Sequence, residues 1–174
     1  KGVYVWTVDA DGDATDVSDS DLFYRTFSST TQAWGPTGRA TQDGVKDTDA
    51  RVVVNNTGEA VVLWNKNGDL VMQKDFTGTP SLVKADASGI GLADITLTAA
   101  PQGHLAMIWQ EEREGGSNAY YRVFDSLSGT WGQDALLTHD DGLARSFATS
   151  WDAGGALVVA YNQVEIVKQN VEVP

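Results

Sequence analysis

The chain has 174 residues, 41% hydrophobic and 9% aromatic, enough to bury a sizeable core and too apolar for a disordered tail. Its formal net charge of −12 repels phosphate backbones and anionic lipid, which argues against nucleic acid and membrane partners and makes cations the natural small ones. With no cysteine and two histidines it has neither a disulfide framework nor a thiolate, and no apolar run reaches the roughly 18 to 20 residues of a membrane span.

The first predicted element is a strand, GVYVWTV, closing near Trp6. It is entered directly from Lys1, which predicts a chain cut from something larger. An aspartate-rich insert, DADGDATDVSDSD (9–21), leads to a strand DLFYRTF (21–27) and a further segment WGPTGRATQDG (34–44). Next, DARVVVNNTGEAVVLWNKNG (49–68) reads as two strands around a turn, followed by DLVMQKDF (69–76) and PSLVKADASG (80–89). The design returns in LADITLTAAPQGHLAMIWQEE (92–112), NAYYRVF (118–124) and WGQDALLTHDDG (131–142), and its first half returns again in LARSFATSWDAGGALVVAYNQ (143–163). Aligned on the strand-closing aromatics Trp6, Trp64, Trp109 and Tyr161, the last three copies place a glycine six residues earlier, at Gly58, Gly103 and Gly155.

Each full unit is four short strands in about 45 to 55 residues, with Gly, Asn, Asp and Ser between them, and no segment has the helical period. Units of that kind are the signature of propeller blades, each of which needs its neighbours to cover its sheet faces. The expected fold is an all-β propeller segment of four-stranded antiparallel blades: a partial blade over 1–44, blades over 45–89 and 90–142, and a partial blade over 143–174. Ala50, Ala93 and Ala144 are expected to open the innermost strands, where a small side chain fits the crowded axis. Trp34 and Trp131 are expected to fill the gaps between blades, and all six tryptophans are read as packing residues.

The repeat YYRVFDSLSGTWGQDALLTHDDGLARSFATSWDAGGALVVAYNQ resembles the blades of bacterial extracellular β-propellers, broadly the sialidase-like and BNR-type group. Such blades usually carry an Asp-box, SxDxGxTW, between the third and fourth strands. The turns here read SSTTQAW and SLSGTW: Thr130 and Trp131 keep the ending, Ser126 stands where the box has aspartate, and the glycine is displaced to Gly129. The resemblance implies a secreted or cell-surface bacterial protein. Three to four blades fall short of a usual ring, so the exposed sheet faces are expected to pair with missing blades or with a second copy.

The insert offers Asp9, Asp11, Asp13 and Asp16 as candidate metal ligands. Carboxylates at alternate positions around a glycine suit Ca²⁺, which takes about six to eight oxygens in flexible geometry. The alternative is a solvated acidic loop, since Gly12 precedes Asp13 and no glutamate follows at the EF-hand's twelfth position. Arg51 and Arg145, with Asp94 in the third slot, are candidate ligand-binding residues lining a central channel, or else ion-pair partners between blades. No tyrosine pairs recognisably with an acid, no HExxH, GxSxG or phosphate loop occurs, and His104 and His139 read as surface residues. Asn55 opens a three-residue glycosylation sequon at a turn.

The expected function is a non-catalytic interaction module that presents propeller loops to a protein or glycan partner, with Ca²⁺ stiffening one blade. A sialidase-like glycoside hydrolase, with the rest of its site outside this segment, and a self-associating scaffold are the alternatives.

Overall fold

A computed structural model describes residues 1–9, 12–13, 18–86, 92–113, 116–138 and 143–164. Every regular element among them is a strand. β1 (Gly2–Val8) and β2 (Asp21–Ser28) run antiparallel, and two short strands, β3 (Ala33–Trp34) and β4 (Gly38–Arg39), pair with the other edge of β2. The second sheet is a four-strand meander of β5 (Asp47–Val54), β6 (Ala60–Lys66), β7 (Asp69–Lys74) and β8 (Thr77–Lys84). The third repeats it with β9 (Leu92–Ala99), β10 (Leu105–Arg113), β11 (Gly116–Asp125) and the short β12 (Thr130–Trp131) and β13 (Ala135–Leu136). A final hairpin, β14 (Leu143–Trp151) and β15 (Leu157–Val164), joins the third sheet through one parallel bridge, Ser117 to Leu143. Strands β1, β5, β9 and β14 are neighbours in that order, so the sheets fan out from a shared inner row.

The apolar run of β6 explains how the sheets stack. Val61 and Leu63 pack against Leu105, Met107 and Trp109 of the third sheet. Val62 and Trp64, pointing the other way, pack against Leu22 and Val5 of the first. A strand covered on both faces reads as continuous hydrophobicity rather than alternation, and β6 is buried from Ala60 to Trp64.

The glycine six residues before each aromatic closes the same turn three times. Gly58, Gly103 and Gly155 sit at φ of 82, 93 and 87°. Each donates its N–H to the carbonyl three residues back, at Asn55, Ala100 and Asp152. This is a hairpin loop built on a type I turn that ends in a left-handed residue. In the first copy the Asn55 side chain accepts from the N–H groups of Thr57 and Glu59, so the sequon asparagine is an organiser of its own turn.

The inner strands differ from the sequence expectation in one respect. Each carries a bulge opposite the aromatic: pairing jumps between Thr48 and Arg51 in β5, between Ile108 and Gln110 across from β9, and between Arg145 and Ala148 in β14. Asp49, Asp94 and Ser146, each nine residues before the turn glycine, take the left-handed conformation there, at φ of 54, 49 and 58°. Counted from these bulges, the three alanines fall at three different positions, after the bulge residue (Ala50), before it (Ala93) and two before it (Ala144). Arg51 and Arg145 therefore do not match each other or Asp94; the residue matching Asp94 in the second sheet is Asp49.

Trp34 also departs from expectation. It meets Phe27 as Trp131 meets Phe124, each pair with ring centroids 5.4 Å apart at 60°. Trp131 packs against the core shared by the second and third sheets, whereas Trp34 is 49% exposed, with no sheet among the described residues covering that face of the first.

Candidate functional site

Three places gather chemistry. The first is the inner row. A bulge re-aims a side chain at the cost of local strain, and here it leaves Asp49, Asp94 and Ser146 exposed at one equivalent register on successive inner strands. Arg51 does not join them: its Nε donates to the Ile95 carbonyl (2.8 Å) and its Nη1 to that of Ala50 (3.0 Å), tying β5 to β9. Arg145 pairs in register with Asn162 and is exposed.

The second place lies between the first and second sheets, at the strand ends that carry the aspartate-rich insert. Asp21 opens β2 and Asp47 opens β5, both with no exposed surface, and Asp43 stands on the loop between them. One carboxylate oxygen from each lies within 4.8 Å of the others. Arg39 ion-pairs with Asp21 and Lys66 with Asp43. Asp47 Oδ1 accepts from the Trp64 indole N–H at 2.8 Å, while its Oδ2 is buried without a hydrogen-bond partner among the described residues. The nearby Thr41 hydroxyl has one hydrogen, directed along a 3.3 Å contact to Asp21 Oδ1, so it serves one carboxylate at a time. Burial pushes the Asp47 carboxyl above its ordinary range, against hydrogen bonding from Thr41 and Trp64, and the neighbouring Asp43 charge pushes the same way as burial. Of the sequence-predicted metal ligands, Asp11 and Asp16 lie outside the described residues; Asp9 is half-buried and Asp13 exposed, and both have partners. Sequence reasoning passed over the buried trio because Asp43 and Asp47 lie well away in the chain from the insert that ends in Asp21.

The third place is a hollow of about 320 Å³ on the outer face of the first sheet, lined by Tyr4, Trp6, Arg25, Trp34 and Thr37. Tyr4 and Trp6 alternate onto that face and stack at 5.3 Å, and Tyr4 is 58% exposed. Arg25, across the ladder from Tyr4, donates its Nε to the Gly35 carbonyl at 3.1 Å. Another hollow, between the turns of the second and third sheets, is lined by Asn56, Glu59, Lys74, Gln102 and Ser126 among others. Several of its polar groups are already engaged, Asn56 with the Pro101 carbonyl and Lys74 with Glu59, so it is a seam between sheets.

Among solved structures the chain is similar to an endo-arabinase from Bacteroides thetaiotaomicron VPI-5482, at 18% identity and a TM-score of 0.55 over 91% of this chain. The fold is that of a β-propeller. A thermostable family-43 glycoside hydrolase is similar at 14% identity and a TM-score of 0.50 over 93% of this chain. The chain spans 65% and 60% of the length of those two proteins. Neither is a sialidase, so the likeness supports the propeller architecture and not the sialidase-like assignment. No protein-family model and no curated protein sequence matches the chain.

Proposed function

We propose that this propeller section is a non-catalytic interaction module whose outer first-sheet face docks an apolar β-sheet surface of a protein partner. One observation carries the reading. At the position of Trp6 the second and third sheets have Trp64 and Trp109, both with no exposed surface, each covered by the sheet before it. The first sheet presents the same face, Tyr4, Trp6 and Trp34, with no cover among the described residues. A contiguous aromatic patch on an acidic molecule is an association surface, and its buried repeat counterparts support another sheet as its partner. The partner is a further blade of a longer protein or a second copy presenting the exposed strand β15. The bacterial secreted or cell-surface setting rests on the blade resemblance alone. Light scattering over a concentration series tests the proposal. Self-association that Tyr4→Ser with Trp34→Ser abolishes supports the face and a second copy as its partner; a chain that stays monomeric rejects the second copy, and assembly that ignores both substitutions rejects the face.

A second reading is carbohydrate processing, favoured by the two glycoside hydrolase neighbours and by the matched acids Asp49 and Asp94 on adjacent inner strands. Glycoside hydrolysis needs two carboxylates flanking the scissile bond, roughly 5 to 9.5 Å apart. Turnover of arabinan or an aryl glycoside, lost in Asp49→Asn and Asp94→Asn, would establish this reading over the first.

A further inference from the structure

We propose that Asp21, Asp43 and Asp47 form a calcium site that staples the first sheet to the second. Two of the three carboxylates are fully buried, and among the described residues the trio is ion-paired with two cations, Arg39 on Asp21 and Lys66 on Asp43. The carboxylate left over is the one with the buried, unpartnered oxygen, Asp47 Oδ2. A buried carboxylate left in that condition has to be neutralised. A hard cation does so and takes up the vacant oxygen valence in one step.

The spacing fits. Oxygens on a calcium ion at about 2.3 to 2.6 Å lie at most about 5 Å from one another, and one oxygen from each aspartate falls within 4.8 Å of the rest. Thr41 is buried beside them, its Oγ already accepting the Leu22 N–H at 2.8 Å, and stands ready as a further oxygen donor. The frame is rigid: the Asp47 N–H donates to the Ser20 carbonyl at 2.8 Å, linking the chain just before β2 to the start of β5. Such a frame places ligands from both sheets around one ion. Asp43 is the exposed member, so the ion enters from that side by displacing the Lys66 ammonium.

The test uses the 174-residue chain stripped with chelator and titrated with calcium chloride by calorimetry. Terbium luminescence reports the location, because the Trp64 indole bonded to Asp47 is an adjacent sensitiser. Calcium is expected to bind with one ion in this cleft and to raise the melting temperature. Asp43→Asn and Asp47→Asn are each expected to weaken it by about tenfold or more, the scale on which ligand charge tunes calcium affinity. Lys66→Gln is expected to tighten it, since the competing ammonium is gone, and a pure salt-bridge network would show no calcium binding to tighten. Asp11→Ala with Asp13→Ala is expected to leave the terbium signal intact. Should Asp47→Asn fail to fold, Asp43→Asn and Lys66→Gln decide the matter. Identical melting with calcium and with chelator overturns the site, and so does calcium binding that survives Asp43→Asn but disappears with Asp11→Ala and Asp13→Ala.

Discussion

Gly38 shows how little freedom a single position in the seam between the first two sheets has. A Cβ built on it would lie 2.5 Å from Cζ of Tyr24, and the Tyr24 ring cannot retreat because its other face stacks on Phe76 at 3.8 Å. The glycine is required by close approach, since its φ is not in the left-handed region. Gly38→Ala is expected to cost about 1 to 3 kcal/mol, the usual range for overpacking, measured by urea denaturation; pairing it with Tyr24→Leu should recover part of the loss. A second residue-scale case lies across the next seam, where Asp134 ion-pairs with Arg122 and with Lys84, and Lys84 also meets Glu111 at 3.0 Å. Burial alone would raise the Asp134 carboxyl, but hydrogen bonds from Lys84 and Arg122 and their charges outweigh it and hold the group below its ordinary value. A carboxyl lowered on folding adds stability at pH above the ordinary carboxylate range, and that stability drains away as pH falls through the depressed value. Asp134→Asn should therefore lower the melting temperature at neutral pH and leave it little changed in strong acid. Equal losses at both pH values would mean that packing, and not charge, holds the site.

At the scale of the strand, the bulge decides both stability and chemistry. A left-handed residue with a Cβ costs roughly 1 to 2 kcal/mol, and aspartate is among the side chains that tolerate it best. Asp94→Gly should then be neutral or stabilising, while Asp94→Val should be strongly destabilising, with chemical denaturation as the readout. If Asp94 serves a ligand, the glycine variant gains stability and loses binding, the trade expected where strain is kept for function. The bulge also sets the limit of what the amino-acid order reveals. The propeller class is legible because burial forces the same aromatic and the same turn glycine into every copy, as Trp64 with Gly58 and Trp109 with Gly103 show. Inner-strand register is not legible from alanines, because one extra residue opposite the aromatic shifts everything before it. Counting back nine from the glycine would have found Asp49, Asp94 and Ser146, since that interval is the same in all three copies. The buried aspartates were hidden for a different reason: acidity signals exposure by default, and the burial of Asp21 and Asp47 exists only once two sheets meet.

For the molecule as a whole, each sheet is stable to the extent that its neighbours cover it, as in other repeat architectures where nearest-neighbour interfaces carry the stability. β6 and β10 are covered on both faces, whereas β15 exposes Val158 and Tyr161 at 55% and 38%. Amide exchange should rank β6 and β10 as the slowest strands and β15 as the fastest, because opening a hairpin covered on one side exposes little apolar surface. A partner seated on either end would slow that end selectively. The charge sets the conditions for such seating. At −12 two copies repel each other over distances of about 8 to 10 Å at moderate salt, while the aromatic contact between sheets acts at short range and is not screened. Salt should therefore strengthen association through the Tyr4, Trp6 and Trp34 face, and the dissociation constant read by sedimentation should fall as ionic strength rises. A partner held by charge complementarity would respond in the opposite direction. The sign of that single slope separates an apolar sheet-on-sheet docking surface from a basic ligand drawn to the acidic loops, and Trp34→Ser should weaken binding at every ionic strength only in the first case.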